Sequence, residues 1–209
     1  MKKLLETLLL VLLSVCLFGC GKDDSWVINE NIHPQENEYA KKAFDGALAG
    51  LDGAGYEYIG LIARQVTAGT SYKILAKQTI REEENLVIVT VYDSFDGPVL
   101  ENIDDLDLNE LKDLESHSIN RNGQDGGWHF DTDLKLQDID SKVLNIFNSL
   151  ISGMVGVGYT PIDLLANTKN EYALLVKEKI MGSDPFEDYA IVFFNKKDII
   201  NVYVFDLNK

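Results

Sequence analysis

Apolar residues recur along this chain at helical spacing in two separate segments. In one segment they fall at positions i, i+3, i+4, i+7, i+8 and i+11, namely Val143, Ile146, Phe147, Leu150, Ile151 and Met154. The earlier segment keeps the stripe at Phe44, Ala47, Leu48 and Leu51, with Tyr39 extending it. Glycines follow both stripes and suit a helix C-terminus, because glycine adopts the left-handed conformation without a Cβ clash. The pattern predicts two amphipathic helices.

Segments rich in Val, Ile, Tyr and Phe follow each helix, and polar turns separate them. This composition predicts strands at residues 56–66, 71–80, 86–92 and 99–106, and again at 162–166, 171–180, 189–194 and 199–205. Asp96-Gly97 and Lys196-Lys197-Asp198 predict hairpin turns between the last two strands of each set. Because each apolar helix stripe needs a sheet face to cover it, we expect an α+β fold with one helix packed on an antiparallel sheet of four to five strands in each half.

The two halves are also similar in sequence, which indicates an internal repeat. Residues 26–106 align with residues 128–207, and matched features include Gly55-Tyr56 with Gly158-Tyr159. The repeat predicts two domains, at residues 26–108 and 128–209, each with one small core. A linker at residues 109–127 joins them, and Leu108, Leu111 and Leu114 predict a short helix at its start. The rest of the linker is polar and glycine-rich, as in an exposed loop.

The first twenty residues have the pattern of an export signal. Lys2 and Lys3 precede an apolar run at residues 8–18 that is too short for a transmembrane helix. The sequence Leu17-Phe18-Gly19-Cys20 resembles the bacterial lipobox, which implies a signal peptide at residues 1–19 and fatty acylation, palmitate included, of Cys20. A plain signal peptide or an uncleaved anchor is the alternative. Since several acyl chains give lasting attachment, we expect an exported protein, lipid-anchored to the cell envelope or surface, with a tether at residues 20–25.

Charge and cysteine content narrow the classes of partner. The formal net charge is −15, and removal of the signal peptide makes it one unit more negative. Such a surface repels nucleic acid and anionic lipid headgroups, so no nucleic-acid partner is expected. The other cysteine, Cys16, lies in the signal peptide, which leaves the mature chain without a thiol pair. Disulfides, cysteine-ligated metals and thiol nucleophiles are therefore not expected.

Motifs for catalysis, metals or cofactors do not emerge from the sequence. His33, His117 and His129 share no metal-ligand spacing. The aspartates at residues 125–140 lack the glycine and terminal glutamate of an EF-hand loop, so a solvated acidic face accounts for them better. The sequence has no P-loop, no dinucleotide-binding fingerprint and no Ser, His and Asp in the order of a catalytic triad. We expect a protein that is not an enzyme and that needs no cofactor or metal.

One loop motif points to a family. The segment Gln65-Val66-Thr67-Ala68-Gly69, followed by Thr70-Ser71-Tyr72, resembles the first binding loop of cystatins, Gln-x-Val-x-Gly. The order of one helix and four strands is similar to the cystatin order, and Gly126-Gly127-Trp128 resembles the family's N-terminal glycine segment. The resemblance covers nearly the whole mature chain as two tandem copies. It implies two cystatin-like domains and reversible, non-covalent inhibition of papain-like cysteine proteases.

The family binds proteases through a wedge of the N-terminal segment and two hairpins. Here the resemblance implies a protease-binding site formed by Gln65, Val66, Thr67, Ala68 and Gly69 of the first hairpin, and Phe95, Asp96 and Gly97 of the second. Small residues such as Ala68 and Gly69 let a backbone enter a narrow cleft.

The chain departs from the family pattern at several places. Thr67 replaces the usual valine, Asp23-Asp24-Ser25 replaces the glycine segment of the first copy, and its second hairpin lacks Pro-Trp. In the second copy Asn167-Thr168-Lys169-Asn170 replaces the whole first loop. The second copy is therefore expected to keep the fold but not the inhibitory loop.

Alternatives to this interpretation stay open. Residues 65–69 are also consistent with an ordinary hairpin turn, and Trp26 and Trp128, at equivalent places, with core packing. A non-inhibitory surface scaffold that binds another protein or peptide is the alternative function. Under this alternative function, a tandem peptidase-propeptide-like fold is a close structural alternative to the cystatin-like fold.

Overall fold

The structure is a computed structural model. The residues it describes are 27–28, 32, 35, 37–114, 129–130, 134, 136–182, 186–205 and 207. The predicted signal peptide and tether, with Cys20, lie outside the described residues. So do Trp26, Trp128 and the glycine pair Gly126-Gly127.

Each half of the chain contains one long helix followed by four long strands. The first half comprises β1 (Val27–Ile28), α1 (Glu38–Leu48), β2 (Gly55–Val66), β3 (Thr70–Ile80), β4 (Glu83–Ser94), β5 (Gly97–Asp105) and α2 (Leu108–Asp113). The second half comprises β6 (His129–Phe130), α3 (Ser141–Ile151), β7 (Val157–Asn167), β8 (Glu171–Ile180), β9 (Phe186–Asn195) and β10 (Ile199–Val204). The α+β class, the eight long strands and the short helix at the start of the linker are confirmed.

Both long helices begin at a side-chain cap. The Asn37 side chain accepts a hydrogen bond from the Ala40 N–H at 3.1 Å, and the Asp140 side chain accepts one from the Lys142 N–H at 2.8 Å. Such caps satisfy backbone donors that have no partner within the helix. The expectation that Tyr39 extends the apolar stripe is wrong, because its side chain is 79% exposed. It precedes Phe44 by five residues, which rotates it by about 140° from Phe44 around the helix.

Each half donates its short first strand to the sheet of the other half. Sheet one has the order β6-β2-β3-β4-β5, and sheet two has the order β1-β7-β8-β9-β10, with every pair antiparallel. The exchange is reciprocal, because Ala63 and Ala166 are equivalent in the repeat and both accept an exchanged strand. The exchanged pairs are Val27 with Asn167, Ile28 with Ala166, His129 with Arg64 and Phe130 with Ala63.

After each exchanged strand the chain returns to its own half. The Gln35 N–H donates to the Ile59 carbonyl, and the Gln137 N–H donates to the Ile162 carbonyl, both at 2.7 Å. Because these pairs also match in the repeat, the two halves are related by an approximate twofold arrangement.

Three apolar cores hold four layers together, in the order helix, sheet, sheet, helix. α1 covers the outer face of sheet one through Phe44, and α3 covers the outer face of sheet two through Phe147. The third core lies between the sheets and draws on both halves, with fully or almost fully buried Ile62, Leu75, Leu165, Ile191 and Phe193. The repeat predicts one core per half, and the structure adds a core that the halves share. The domain boundaries at 26–108 and 128–209 stay a prediction.

The turns of the two sheets point to opposite ends of the molecule. We call the end of sheet one that carries residues 65–69 and 95–97 the tip. From the tip, β5 runs about 27 Å to α2 at the other end of sheet one. There the Lys112 ammonium lies 3.2 Å from the Glu171 carboxylate, beside the β7–β8 turn. The Asn201 side-chain amide, next to the β9–β10 turn, donates to two carbonyls of the α2 segment, those of Leu111 and Leu114.

Cross-strand ion pairs support the register of sheet one at the end opposite the tip. The Lys77 ammonium on β3 lies 3.0 Å from the Glu57 carboxylate on β2 and 3.2 Å from that of Glu84 on β4. The hydrogen bond to Glu57 raises the pKa of Lys77, with a further contribution from Glu84. Because Glu57 is well exposed, this arrangement specifies strand pairing more than it adds stability.

The shared core predicts that the two halves unfold together. Leu165 is fully buried between the sheets, so Leu165→Ala should lower the free energy of unfolding by about 2–5 kcal/mol. Chemical denaturation followed by far-UV circular dichroism and by tyrosine fluorescence should show one transition that moves as a unit. Leu136→Ala is the control, because Leu136 is 55% exposed. Two transitions, with only one shifted, would contradict a shared core.

Candidate functional site

All eight predicted binding residues lie at the tip of sheet one. β2 and β4 run in the same direction, so the turns that follow them lie at the same end of the sheet. Thr70 pairs with Asp93, which sets the first turn directly beside the end of β4. The fold thus brings Gln65, Val66, Thr67, Ala68, Gly69, Phe95, Asp96 and Gly97 to one end.

The first hairpin ends in a tight turn. Val66 pairs with Thr70, and the Thr67 N–H donates to the Gly69 carbonyl at 2.9 Å. The Val66 side chain is 64% exposed, and Thr67 and Ala68 are exposed as well. The turn therefore presents a short apolar side chain on a backbone that is already fixed by hydrogen bonding.

Gly69 is required by a close approach of two strands. A Cβ at this position would lie 2.5 Å from the Asp93 carbonyl oxygen and 2.8 Å from the Tyr92 ring. Real Cβ atoms do not approach backbone so closely, so a side chain here would displace the turn from β4. The glycine of the motif thus has a packing role within this chain, whatever the tip binds.

The second hairpin presents a fully exposed aromatic side chain. Phe95 and Asp96 form its turn, and Gly97 closes it with a φ of +106°, which favours glycine. The Asp96 N–H donates to the Ser94 hydroxyl at 3.3 Å. Phe95 has a relative exposure of 105%, so it packs on nothing in the described part of the chain. A fully exposed aromatic side chain on an ordered turn is available for contact with a partner.

The base of the first hairpin contains a buried tyrosine. Tyr72 follows the first turn on β3, and burial raises the pKa of its phenol, an effect that a hydrogen bond with Thr70 partly opposes.

The equivalent turns of sheet two are polar and capped by side chains. The Thr168 hydroxyl accepts from the N–H groups of Asn170 and Glu171 at 3.2 and 3.0 Å. The Asn195 side chain accepts from the N–H groups of Lys197 and Asp198 at 2.7 and 2.9 Å. These turns expose lysines where the tip exposes valine and phenylalanine. The repeat thus preserves the strands while its turns have diverged.

Sequence reasoning missed which strand lies next to the first hairpin. The resemblance places the segment Gly126-Gly127-Trp128 in the second copy, and this segment lies outside the described residues. The strand that it leads into, β6, pairs with Arg64 and Ala63 of the first half, next to Gln65. No local pattern signals this exchange, because it depends on contact between the halves.

A cavity of about 310 Å³ lies between the sheets, and the sequence did not suggest it. Apolar residues such as Ile62 and Phe205 line it, together with the carboxylates of Asp104 and Glu110. The buried Lys73 ammonium donates to the Leu207 carbonyl at 3.0 Å in this region. The size is at the lower limit for small-molecule pockets. Its walls come from both halves, which explains why neither half predicts it.

Comparisons with known proteins leave the site to be interpreted from its geometry. The chain matches no protein-family model, no curated protein and no solved structure. In the part of the chain that the structure describes, no helix is long and apolar enough to cross a membrane. Over the same residues, His, Cys, Asp and Glu form no group of three or more that could hold a metal ion.

The role of Gly69 in packing gives a direct test. Gly69→Ala should lower the free energy of unfolding by about 1–3 kcal/mol, because its Cβ meets the Asp93 carbonyl. Gly153→Ala is a matched control, since a Cβ there meets nothing within 4 Å, and it should change stability by less than about 0.5 kcal/mol. Urea denaturation of both variants measures the difference. Equal free energies of unfolding for the Gly69→Ala and Gly153→Ala variants would show that the turn does not pack against β4.

Proposed function

We propose that this chain is a lipid-anchored protein with two cystatin-like halves that reversibly inhibits a papain-like cysteine protease. The tip of sheet one is the inhibitory element, and the second half completes the fold without an inhibitory loop of its own. The observation that carries the proposal is the common position of the two hairpins, which brings all eight candidate residues to one end of one sheet.

The shape of the tip supports insertion into a cleft. Ala68 and Gly69 have little or no side chain, so the first turn is narrow. Its backbone is fixed by the hydrogen bond between Thr67 and Gly69 and by the packing of Gly69 on β4. A turn fixed in this way loses little conformational entropy when it binds, which favours affinity.

The exposed apolar side chains supply the expected binding energy. Val66 and Phe95 are the two large apolar residues within the tip, and both are mostly or fully exposed in the free protein. Full burial of one such side chain is worth about 1.5–3 kcal/mol. Since about 1.4 kcal/mol corresponds to tenfold in affinity, each is expected to contribute about tenfold or more.

The anchor follows from the lipobox-like sequence that ends in Cys20. Acylation of Cys20 would hold the protein at the envelope and keep the tip in the extracytoplasmic space. The alternative function, a surface scaffold for another protein or peptide, uses the same exposed tip or a sheet edge. It differs in its partner, and the following experiment separates the two.

Inhibition of papain by the mature chain without Cys20 tests the proposal. Phe95→Asp and Val66→Asp should each weaken inhibition by about tenfold or more, because each removes an apolar contact and adds a charge. Both side chains are exposed, so neither change disturbs a core. These variants are better probes than Gly69→Glu, which would also displace the turn.

Leu51→Asp is the matched control, because Leu51 is 44% exposed at the end of sheet one opposite the tip. It should inhibit papain as the unmodified chain does. A folded unmodified chain that leaves papain fully active refutes the protease proposal and favours the scaffold. Inhibition that survives both tip substitutions would locate the binding site elsewhere on the protein.

A further inference from the structure

The strand exchange determines where the tether joins the folded body. Val27 pairs with Asn167, the last residue of β7, in antiparallel register. Strand β1 therefore begins at the end of sheet two that carries the β7–β8 and β9–β10 turns. Seven residues connect Cys20 to Val27, a reach of at most about 25 Å when fully extended. A lipid on Cys20 would thus hold this end of the molecule near the bilayer.

The tip of sheet one lies at the opposite end. α2 packs beside the turns of sheet two through the Lys112–Glu171 ion pair and the Asn201 side chain. From α2, strand β5 leads back to the tip over about 27 Å. The anchored end and the tip are therefore separated by roughly the length of a strand.

Further exposed apolar residues lie at the same end of the molecule as the tip. Val155 is 95% exposed in the connection from α3 to β7, and Met181 is exposed just after β8. The Met181 N–H donates to the Gly156 carbonyl at 2.9 Å, so these two segments are adjacent. They lie at the end of sheet two away from its turns, which is the same end of the molecule as the tip.

The positions of the exposed apolar residues indicate which kind of partner they fit. An apolar surface next to the anchor would suit insertion into the anchoring bilayer. Here Val66, Phe95 and Val155 are 64%, 105% and 95% exposed and lie at the end away from the anchor. At the other end, exposures are only 38–44% for Leu51, Ile80, Leu114 and Ile200. An apolar cleft of a protein approaching from solution is the surface that matches them.

We infer that the tip, together with Val155 and Met181, forms one recognition face that points away from the anchoring membrane. Its partner is a soluble protein with an apolar cleft in the extracytoplasmic space. The inference rests on the proposed function and on acylation of Cys20. It adds a direction of approach and a contribution from the second half of the chain.

Quenching of a fluorescent label by quenchers in the membrane measures the orientation of the protein on the bilayer. The mature chain has no cysteine besides Cys20, whose thiol the lipid occupies, so a single added cysteine gives a unique site for a fluorescent label. Phe95→Cys and Val155→Cys report on the proposed outer face, and Lys169→Cys and Lys196→Cys report on the turns of sheet two. The lipidated variants are reconstituted in vesicles that carry a headgroup quencher, and circular dichroism verifies that each is folded.

The labels at residues 169 and 196 should be quenched several-fold more strongly than those at residues 95 and 155. Equal quenching, or stronger quenching at residues 95 and 155, would overturn the inference by showing the apolar end at the bilayer. A chain that fails to float with the vesicles would overturn it by removing the anchor. Because the papain assay uses a chain without Cys20, failure of the orientation and failure of the inhibitory function are observed separately.

Discussion

The two sheets pack face to face through apolar side chains, and the positions of the helices and short strands follow from this contact. Ile62, Leu165 and Phe193 are fully or almost fully buried there, and they come from both halves of the chain. Each sheet has apolar residues on both faces, so a helix on one side leaves the other side to be covered. The second half of the repeat provides that cover, and the order of four layers follows.

The same contact explains how the short strands come to be exchanged. Once the sheets lie face to face, the start of each half is close to the edge strand of the other. β1 and β6 extend those edges, which leaves fewer unpaired backbone groups at β2 and β7. The exchange also connects the halves through backbone hydrogen bonds, in addition to the apolar core. The start of β1 lies at one end of the body, and the tip lies at the other.

The tip and the equivalent end of sheet two have matching strands, but the turns between those strands differ. Thr168 and Asn195 cap the turns of sheet two, whereas the tip exposes Val66 and Phe95. Turns lie outside the packed layers, so they can diverge at little cost to the fold. The internal repeat therefore separates the residues needed for packing from those available for recognition. Gly69 belongs to the first group and Phe95 to the second.

The helices, the eight long strands and the α+β class can be predicted from the sequence, because helical and alternating spacings are local properties of the chain. The sequence also selected residues 65–69 and 95–97, since turn residues and motifs are read within a few positions. The exchange of β1 and β6, the shared core and the cavity beside Lys73 arise only when the two halves pack together. These features depend on which sheet face packs against which other surface. The two faces of each sheet have similar apolar patterns, so the sequence does not show which face packs on a helix and which on the other sheet. The packing of Gly69 against Asp93 was likewise set by a neighbour distant in the chain.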